Sequence, residues 1–328
     1  MSGEPDKSPD WRPTAAIEML RLRAQLLARV REYFAATGTL EVETPALVRA
    51  AVTDVHLESL RVVDDAAGGA TAGFLQTSPE YAMKRLLCAG APDIYQVCRV
   101  FRAGERGGRH NPEFTMIEWY RLWIDHHALM DEVDILLRSL IEPRRPVGPT
   151  RRLAYADAFL ETLGLDPLTA PTSRLLAEIR ARSTDVPESV VGEHDALLDF
   201  AMATIVAPTF PADRITFLHD FPASQAALAR VRGPVASRFE AFWGELELAN
   251  GFHELGCADE QARRFESDRA ERARRGQPDR APDQLFLAAL GAGLPSCAGV
   301  ALGFDRVIMI ASGASAIDDV IAFPVERA

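Results

Sequence analysis

Arginines, carboxylates and aromatic rings gather in four short segments of this chain, at spacings that could bring a phosphate, a flat ring and a cation to one place. In residues 113–121 a strand's period of two puts Phe114, Met116, Glu118 and Tyr120 on one face and Thr115, Ile117 and Trp119 on the other. A ring, a carboxylate and a phenol in one row suit a pocket for an aromatic group beside a cation, and they equally suit a half-exposed sheet face. Arg102 stands just before a loop carrying Arg106, Arg109 and His110. Guanidinium forks match phosphate oxygens and neutralise charge that develops during adenylyl transfer, although a solvated basic loop has the same composition. In residues 247–254, Asn250, Phe252 and Glu254 share a face, and Glu247 points the other way unless a bulge intervenes. Asn250-Gly251 also reads as a hairpin turn. If Glu240 and Glu247 converge, their hard oxygens suit Mg²⁺ bridging nucleotide phosphates; apart, they are ordinary surface carboxylates. In Gly299-Val300-Ala301-Leu302-Gly303-Phe304-Asp305-Arg306, Gly303 allows a tight turn from strand to helix, and Arg306 falls in a first turn that favours anions or pairs with a nearby carboxylate.

These segments need a frame. Met19, Leu22, Leu26, Val30 and Tyr33 recur at helical spacing, with Gly38 as the stop. A short strand follows at residues 40–42 and ends at Thr44-Pro45, because proline donates nothing to a ladder. Residues 60–63 and 74–77 read as a hairpin around the Asp/Gly/Ala-rich stretch 64–73. Ser78-Pro79 is a helix-start signature with Gly90 as its stop, so Glu80 sits in a first turn, where an acidic residue also simply complements the helix dipole. Strands are expected at 94–102 and 113–121, joined by the loop 103–112, and a helix at 125–141. Residues 151–211 read as mainly helical. Strands at 215–218 and 245–255, a charged helix at 259–276 and a strand-turn-helix at 298–312 complete the pattern. Helices outside a mostly antiparallel sheet fit it, an α+β class. Residues 143–148 form the one plausible internal boundary, and nothing in composition requires a cut there.

The chain has 328 residues, 48% hydrophobic and 25% charged, which is the composition of a globular protein with ample core. No segment approaches the roughly 20 uninterrupted apolar residues of a membrane span. Residues 1–13 are polar and lack a secretory pattern, so a loose tail and a cytoplasmic location are expected. Cys88, Cys98, Cys257 and Cys297 have no paired spacing, which argues against zinc ribbons and disulfides and suggests buried, reduced thiols. A formal net charge of -11 disfavours extended nucleic-acid binding. Neither GxxxxGK[ST] nor GxGxxG occurs, so a nucleotide site here has another design than a P-loop or Rossmann fingerprint.

Taken in order, Phe101-Arg102, then Arg109 to Met116 (RHNPEFTM), then Glu247 to Leu255 (ELANGFHEL), then Gly303-Phe304-Asp305-Arg306 resemble the class II lysyl-tRNA synthetases over most of residues 15–328. Thr44-Pro45 is similar to the family's motif 1, and Ser78-Pro79-Glu80 to its amino-acid-binding turn. The resemblance implies a class II aminoacyl-tRNA synthetase catalytic core at 15–328 behind a flexible tail at 1–14: a six- or seven-stranded antiparallel sheet flanked by helices, forming a homodimer. It implies ATP and Mg²⁺. Arg102 and Arg306 would be catalytic, Arg102 holding the α-phosphate and Arg306 with His110 the outer phosphates. Phe114 would carry the adenine, with Ala103, Gly104, Glu105, Asn111, Glu247, Leu248 and Gly303 also around the nucleotide. Glu240 and Glu247 would hold metal. Ser78, Pro79, Glu80, Glu118, Tyr120, Asn250, Phe252, Glu254 and Ala301 would line the amino-acid site, where several carboxylates make sense for a ligand with two ammonium groups.

Two departures refine this. Only about 20 residues precede the motif 1 helix, too few for the five strands of an anticodon-binding barrel. Position 301 is alanine where the synthetases usually have glycine, and one methyl in a tight pocket changes which amino acid fits. Both features are similar to the short lysyl-tRNA synthetase paralogues, which implies transfer of (R)-β-lysine to a lysine of translation elongation factor P and disfavours tRNA as the acceptor. The family's motif 2 has Arg-x-Glu, whereas Glu105 here stands one place later, after Ala103 and Gly104. Alternatives are a truncated synthetase, an amide synthetase with another acceptor, or a silent amino-acid-binding paralogue.

Overall fold

The computed structural model describes residues 11–182 and 185–328. The expected tail therefore lies outside the described residues up to residue 10. At its other end Thr14 is docked, its backbone NH donating to Ala322 O at 2.9 Å and its hydroxyl to Ile321 O at 3.1 Å.

In chain order the strands are β1 Leu40–Glu41, β2 Leu47–Val48, β3 Arg61–Asp64, β4 Ala70–Leu75, β5 Ile94–Phe101, β6 Glu113–Leu122, β7 Arg151–Ala154, β8 Ile215–Pro222, β9 Val231–Arg232, β10 Val235–Trp243, β11 Leu246–His253 and β12 Cys297–Gly303. The helices are α1 Ile17–Ala36, α2 Glu80–Cys88, α3 His126–Ile141, α4 Tyr155–Leu163, α5 Thr172–Arg180, α6 His194–Ala201, α7 Ala258–Arg274, α8 Gln284–Gly293 and α9 Phe304–Ser312. The main sheet has nine strands in the order β1-β5-β6-β12-β11-β10-β8-β7, with β9 added to β10. Its centre is antiparallel, as expected, but β1 pairs with β5 and β7 with β8 in parallel. The six- or seven-stranded antiparallel sheet is thus corrected to a larger mixed one.

One face of this sheet carries the main core. Leu22, Leu26, Val30 and Phe34 recur every fourth residue along α1 and are buried together with α3, α9 and the sheet residues Ile117, Trp119, Phe239, Ala241, Val300 and Leu302. Phe34 rather than Tyr33 ends the buried stripe. The opposite face is left for side chains that do not need a dry environment. Beyond β8, helices α4 to α6 pack a second core with Leu218, Phe221 and Phe242, so the mainly helical region joins the sheet through its own strand β7, which sequence reading missed. The boundary at 143–148 divides nothing, since β7 continues the same sheet.

Smaller corrections have clear causes. Asn250-Gly251 is no turn: Gly251 lies within β11 opposite Phe239 and Val300, and a Cβ there would sit 2.4 Å from the Phe239 ring. Gly303 has ordinary extended backbone at φ -76°, so the strand-to-helix step does not depend on glycine's freedom. Of the thiols, Cys297 is buried, Cys88 and Cys98 are half-buried and Cys257 is exposed. No helix among the described residues is long and apolar enough to cross a membrane.

Candidate active site

The face of the sheet left open by α1, α3 and α9 floors a cavity of about 1570 Å³. Strand register lines up Gln96, Glu118, Ala301, Asn250 and Glu240 in a single row across β5, β6, β12, β11 and β10. Glu247 joins that face through a bulge. Phe242 pairs with Glu247 and Ala241 with Ala249, so Leu248 is the extra residue and every side chain before it changes sides. The condition under which Glu247 faces Asn250 is therefore met.

At the amino-acid end, α2 starts where Ser78-Pro79 places it, with the Ser78 hydroxyl accepting from Glu80 NH at 3.0 Å and Gly90 at φ 93° closing the segment. Ser78, Pro79, Glu80, Asn250, Phe252 and Ala301 line the cavity. Glu118, Tyr120 and Glu254 do not: they are 2%, 2% and 1% exposed, directly beneath the lining rather than in it. Tyr120 donates its hydroxyl to Glu118 Oε1 at 2.7 Å, leaving Glu118 Oε2 buried with no donor. Burial first, then the charge of Glu80, push the Glu118 carboxyl up to about 8. Asn250 Oδ1 is likewise buried and unpartnered. Such orphaned acceptors cost about 1–3 kcal/mol each and suit a ligand that brings N–H groups.

Sequence reasoning missed the residue that organises this end. Lys84, 1% exposed, bonds Glu80 at 2.5 Å and Glu254 at 2.6 Å, tying α2 to the residue that follows β11. Burial opposes its charge, but the two carboxylates outweigh burial and hold the ammonium well above its ordinary range. A lysine one turn after Glu80, between the buried Met83 and Leu87, was the available signal. Gly299 was also missed. A Cβ at this strand position would lie 2.3 Å from the Tyr120 ring and 2.5 Å from Glu254 Oε1.

The nucleotide end is more open. Arg102 stands over the Phe114 ring at 5.1 Å, lies 3.6 Å from Glu105, and has a buried Nε with no acceptor. A flat ring stacked on Phe114 would have to take the ring face that Arg102 leaves free or displace the guanidinium. Arg306 donates to Glu247 O at 2.8 Å and meets His110 Nε2 at 2.7 Å. Burial, then the Arg306 charge, lower the His110 pKa, so this imidazole is a neutral acceptor for Arg306. Asp305 accepts from Thr115 NH at 2.7 Å and pairs with Arg23 of α1, which fixes the start of α9 and with it Arg306.

The basic loop is only partly directed at this end. Arg106 is held outside the cavity lining by Asp318 and Glu326, whereas Arg109 lines the cavity while paired with Glu245. Ala103 and Gly104 do not line the cavity; Ala103 NH bonds Glu58 O at 2.8 Å and Gly104 takes φ 79°, a turn that presents Arg102 and Glu105. Asn111 lines it, but its amide donates to Glu113 O at 2.7 Å and accepts from Val325 NH at 3.1 Å, so the side chain secures the C-terminal segment.

Glu240 and Glu247 face the cavity together, and Glu247's charge adds to the burial that pushes Glu240 up to about 7 against the pull of Arg238. Arg238 already bonds Glu240 Oε1. Two carboxylates, one partly engaged, are too few for a closed protein cage and fit Mg²⁺ that completes its shell with phosphate oxygens and water.

Comparison with known proteins shows the family. The family model for tRNA synthetases class II (D, K and N) matches residues 7–327. The Elongation factor P–(R)-beta-lysine ligase of Pasteurella multocida is 46% identical over 324 residues, covering 97% of this chain and 98% of that protein. The ligase of the same name from Vibrio cholerae serotype O1 is 47% identical over 326 residues, covering 97% and 99%, and that of Salmonella typhi 46% over 323 residues, covering 97% and 98%. This chain belongs to the class II tRNA synthetase family (D, K and N).

Proposed function

We propose that this protein is an ATP-dependent ligase that activates (R)-β-lysine as its adenylate and transfers it to a lysine side chain of translation elongation factor P, acting in the cytoplasm as a homodimer. One observation carries the reading. Glu118 Oε2 and Asn250 Oδ1 are buried acceptors without donors, and across the same sheet face Arg102 Nε is a buried donor without an acceptor. An ammonium-bearing amino acid supplies what the first two lack and an α-phosphate what the third lacks. The relatives' name supplies the identity of the amino acid and of the acceptor.

In the first step a carboxylate oxygen of the amino acid attacks the α-phosphorus and the bond to the β-phosphate breaks, releasing pyrophosphate. Arg102 and Arg306 stabilise the charge that builds on the phosphates. Glu240 and Glu247 would hold Mg²⁺, which would supply Lewis-acid stabilisation of that charge. In the second step the acceptor's ε-amine, as the free base, attacks the activated carbonyl. The bond to AMP breaks, and the nitrogen's extra proton passes to solvent. An amide remains, with no covalent enzyme intermediate. Positioning in a largely preformed site does most of the work.

The test is mass analysis of purified elongation factor P after incubation with the protein, ATP, Mg²⁺ and (R)-β-lysine, beside a parallel reaction with tRNA. The expected result is a gain on the factor equal to one lysyl residue and an uncharged tRNA. Charged tRNA with an unmodified factor would refute the proposal.

A further inference from the structure

Away from the cavity, the start of α3 and the end of β8 bring three imidazoles and a carboxylate together. His126 and His127 open α3, and His219 and Asp220 are consecutive on β8. One ligand atom each from His126, His127 and Asp220 lies within 4.8 Å of the others, the one such three-residue group among the described residues. Asp220 is shared, its Oδ1 3.2 Å from His126 Nε2 and its Oδ2 2.9 Å from His219 Nδ1. The His127 ring packs at 4.1 Å against His126 and at 5.2 Å edge-on to His219. His126 is only 3% exposed, and its Nδ1 is buried without a partner. His127 is exposed, so the group is open to solvent on one side.

Two imidazoles and one carboxylate are the donor set of borderline first-row divalent ions, and they are poor ligands for Mg²⁺, which wants oxygen throughout. Three protein ligands with one side open leave a coordination position for water. His219 supplies the hydrogen bond to the remaining carboxylate oxygen that orients a ligating Asp. The cluster lies outside the cavity lining, so it is separate from the nucleotide and amino-acid ends. We propose that His126, His127 and Asp220 form a site for a late first-row divalent cation, Zn²⁺ above all, that clips the start of α3 to β8.

The test uses the full chain, stripped with a chelator, then titrated with Zn²⁺ by calorimetry and with Co²⁺ by absorption, beside His127→Gln and Asp220→Asn. Because His127 is exposed, its replacement leaves folding intact. The expected result is one equivalent of Zn²⁺ per chain, bound about tenfold or more weakly in each variant. The Co²⁺ spectrum should show d–d bands without a thiolate charge-transfer band, and Zn²⁺ should raise the Tm of the parent but not of His127→Gln. ATP-pyrophosphate exchange in Mg²⁺ should be the same in parent and His127→Gln. Absence of stoichiometric binding, or binding unaltered in both variants, would overturn the proposal. So would a thiolate band that disappears on Cys257→Ser, which would place the metal on the exposed cysteine.

Discussion

The two ends of the cavity solve opposite problems. At the amino-acid end the charges are neutralised in place: buried Lys84 lies between Glu80 and Glu254, and the Glu118 carboxyl, hydrogen-bonded by Tyr120, is pushed up to about 8 and keeps its proton. At the nucleotide end they are partly exposed and loosely engaged, Arg306 with a backbone carbonyl and a neutral His110, Arg102 with an aromatic ring and, at 3.6 Å, Glu105. Burying unpaired charge is costly, so a site for a small cation must be neutralised before its ligand arrives. A polyphosphate ligand would bring enough charge of its own to pull in partly solvated arginines, and their exposure keeps the ligand-free protein from holding uncompensated cations.

That contrast is broken most directly at Lys84. Lys84→Met leaves buried Glu254 and partly buried Glu80 without their shared partner, and removal of one member of a buried ion pair costs about 3–5 kcal/mol. Urea unfolding should show a loss of this size, with amino-acid-dependent exchange abolished. Unchanged stability would mean that the lysine does not organise this end. Arg306→Ala should behave in the opposite way, losing about 10²- to 10³-fold in kcat while the unfolding midpoint stays in place.

Acidity sharpens the comparison. Glu118 is raised from 4.5 to about 8, so its protonated form favours the ligand-free fold. That contribution is complete below about 4.5 and is lost as pH rises through about 8, because the folded state holds the proton longer than the unfolded chain does. Tm of the ligand-free protein should therefore fall from pH 6 to pH 8, and less steeply in Glu118→Gln. An ammonium ligand needs the ionised form, so the KM for the amino acid should fall over the same interval by up to about tenfold per pH unit. A KM that does not change with pH would remove Glu118 from the binding account. The smallest expected effect is at Ala301, between Glu118 and Asn250 in the row. Ala301→Gly should shift the ratio of kcat/KM between (R)-β-lysine and L-α-lysine toward the α-isomer by about tenfold, the scale of one methyl group.

Much of this site was legible because period-two alternation assigns faces without any knowledge of partners. Phe114 and Met116 line the cavity and Ile117 and Trp119 the core, as the alternation requires. Ser78 and Gly90 bracket α2 through local chemistry alone. What was not legible depends on neighbours far along the chain. The Leu248 bulge exists only against β10, a strand whose own alternation of Phe239, Ala241 and Trp243 with Arg238, Glu240 and Phe242 went unread. Lys84 resembles any i+4 partner of a surface glutamate until Glu254, distant in sequence, closes the other side. Of the two parallel edge strands, β1 falls within the strand expected at residues 40–42, whereas β7, four residues long, is too brief for a period to declare itself.

The central claim is that one end of the cavity selects a β-amino acid and the other adenylates it. Amino-acid-dependent ATP-pyrophosphate exchange with (R)-β-lysine, (S)-β-lysine and L-α-lysine tests it most directly. The account predicts exchange driven preferentially by (R)-β-lysine and lost in Lys84→Met. Exchange driven equally by all three would contradict selection at the buried end, and none with any of them would contradict adenylation itself.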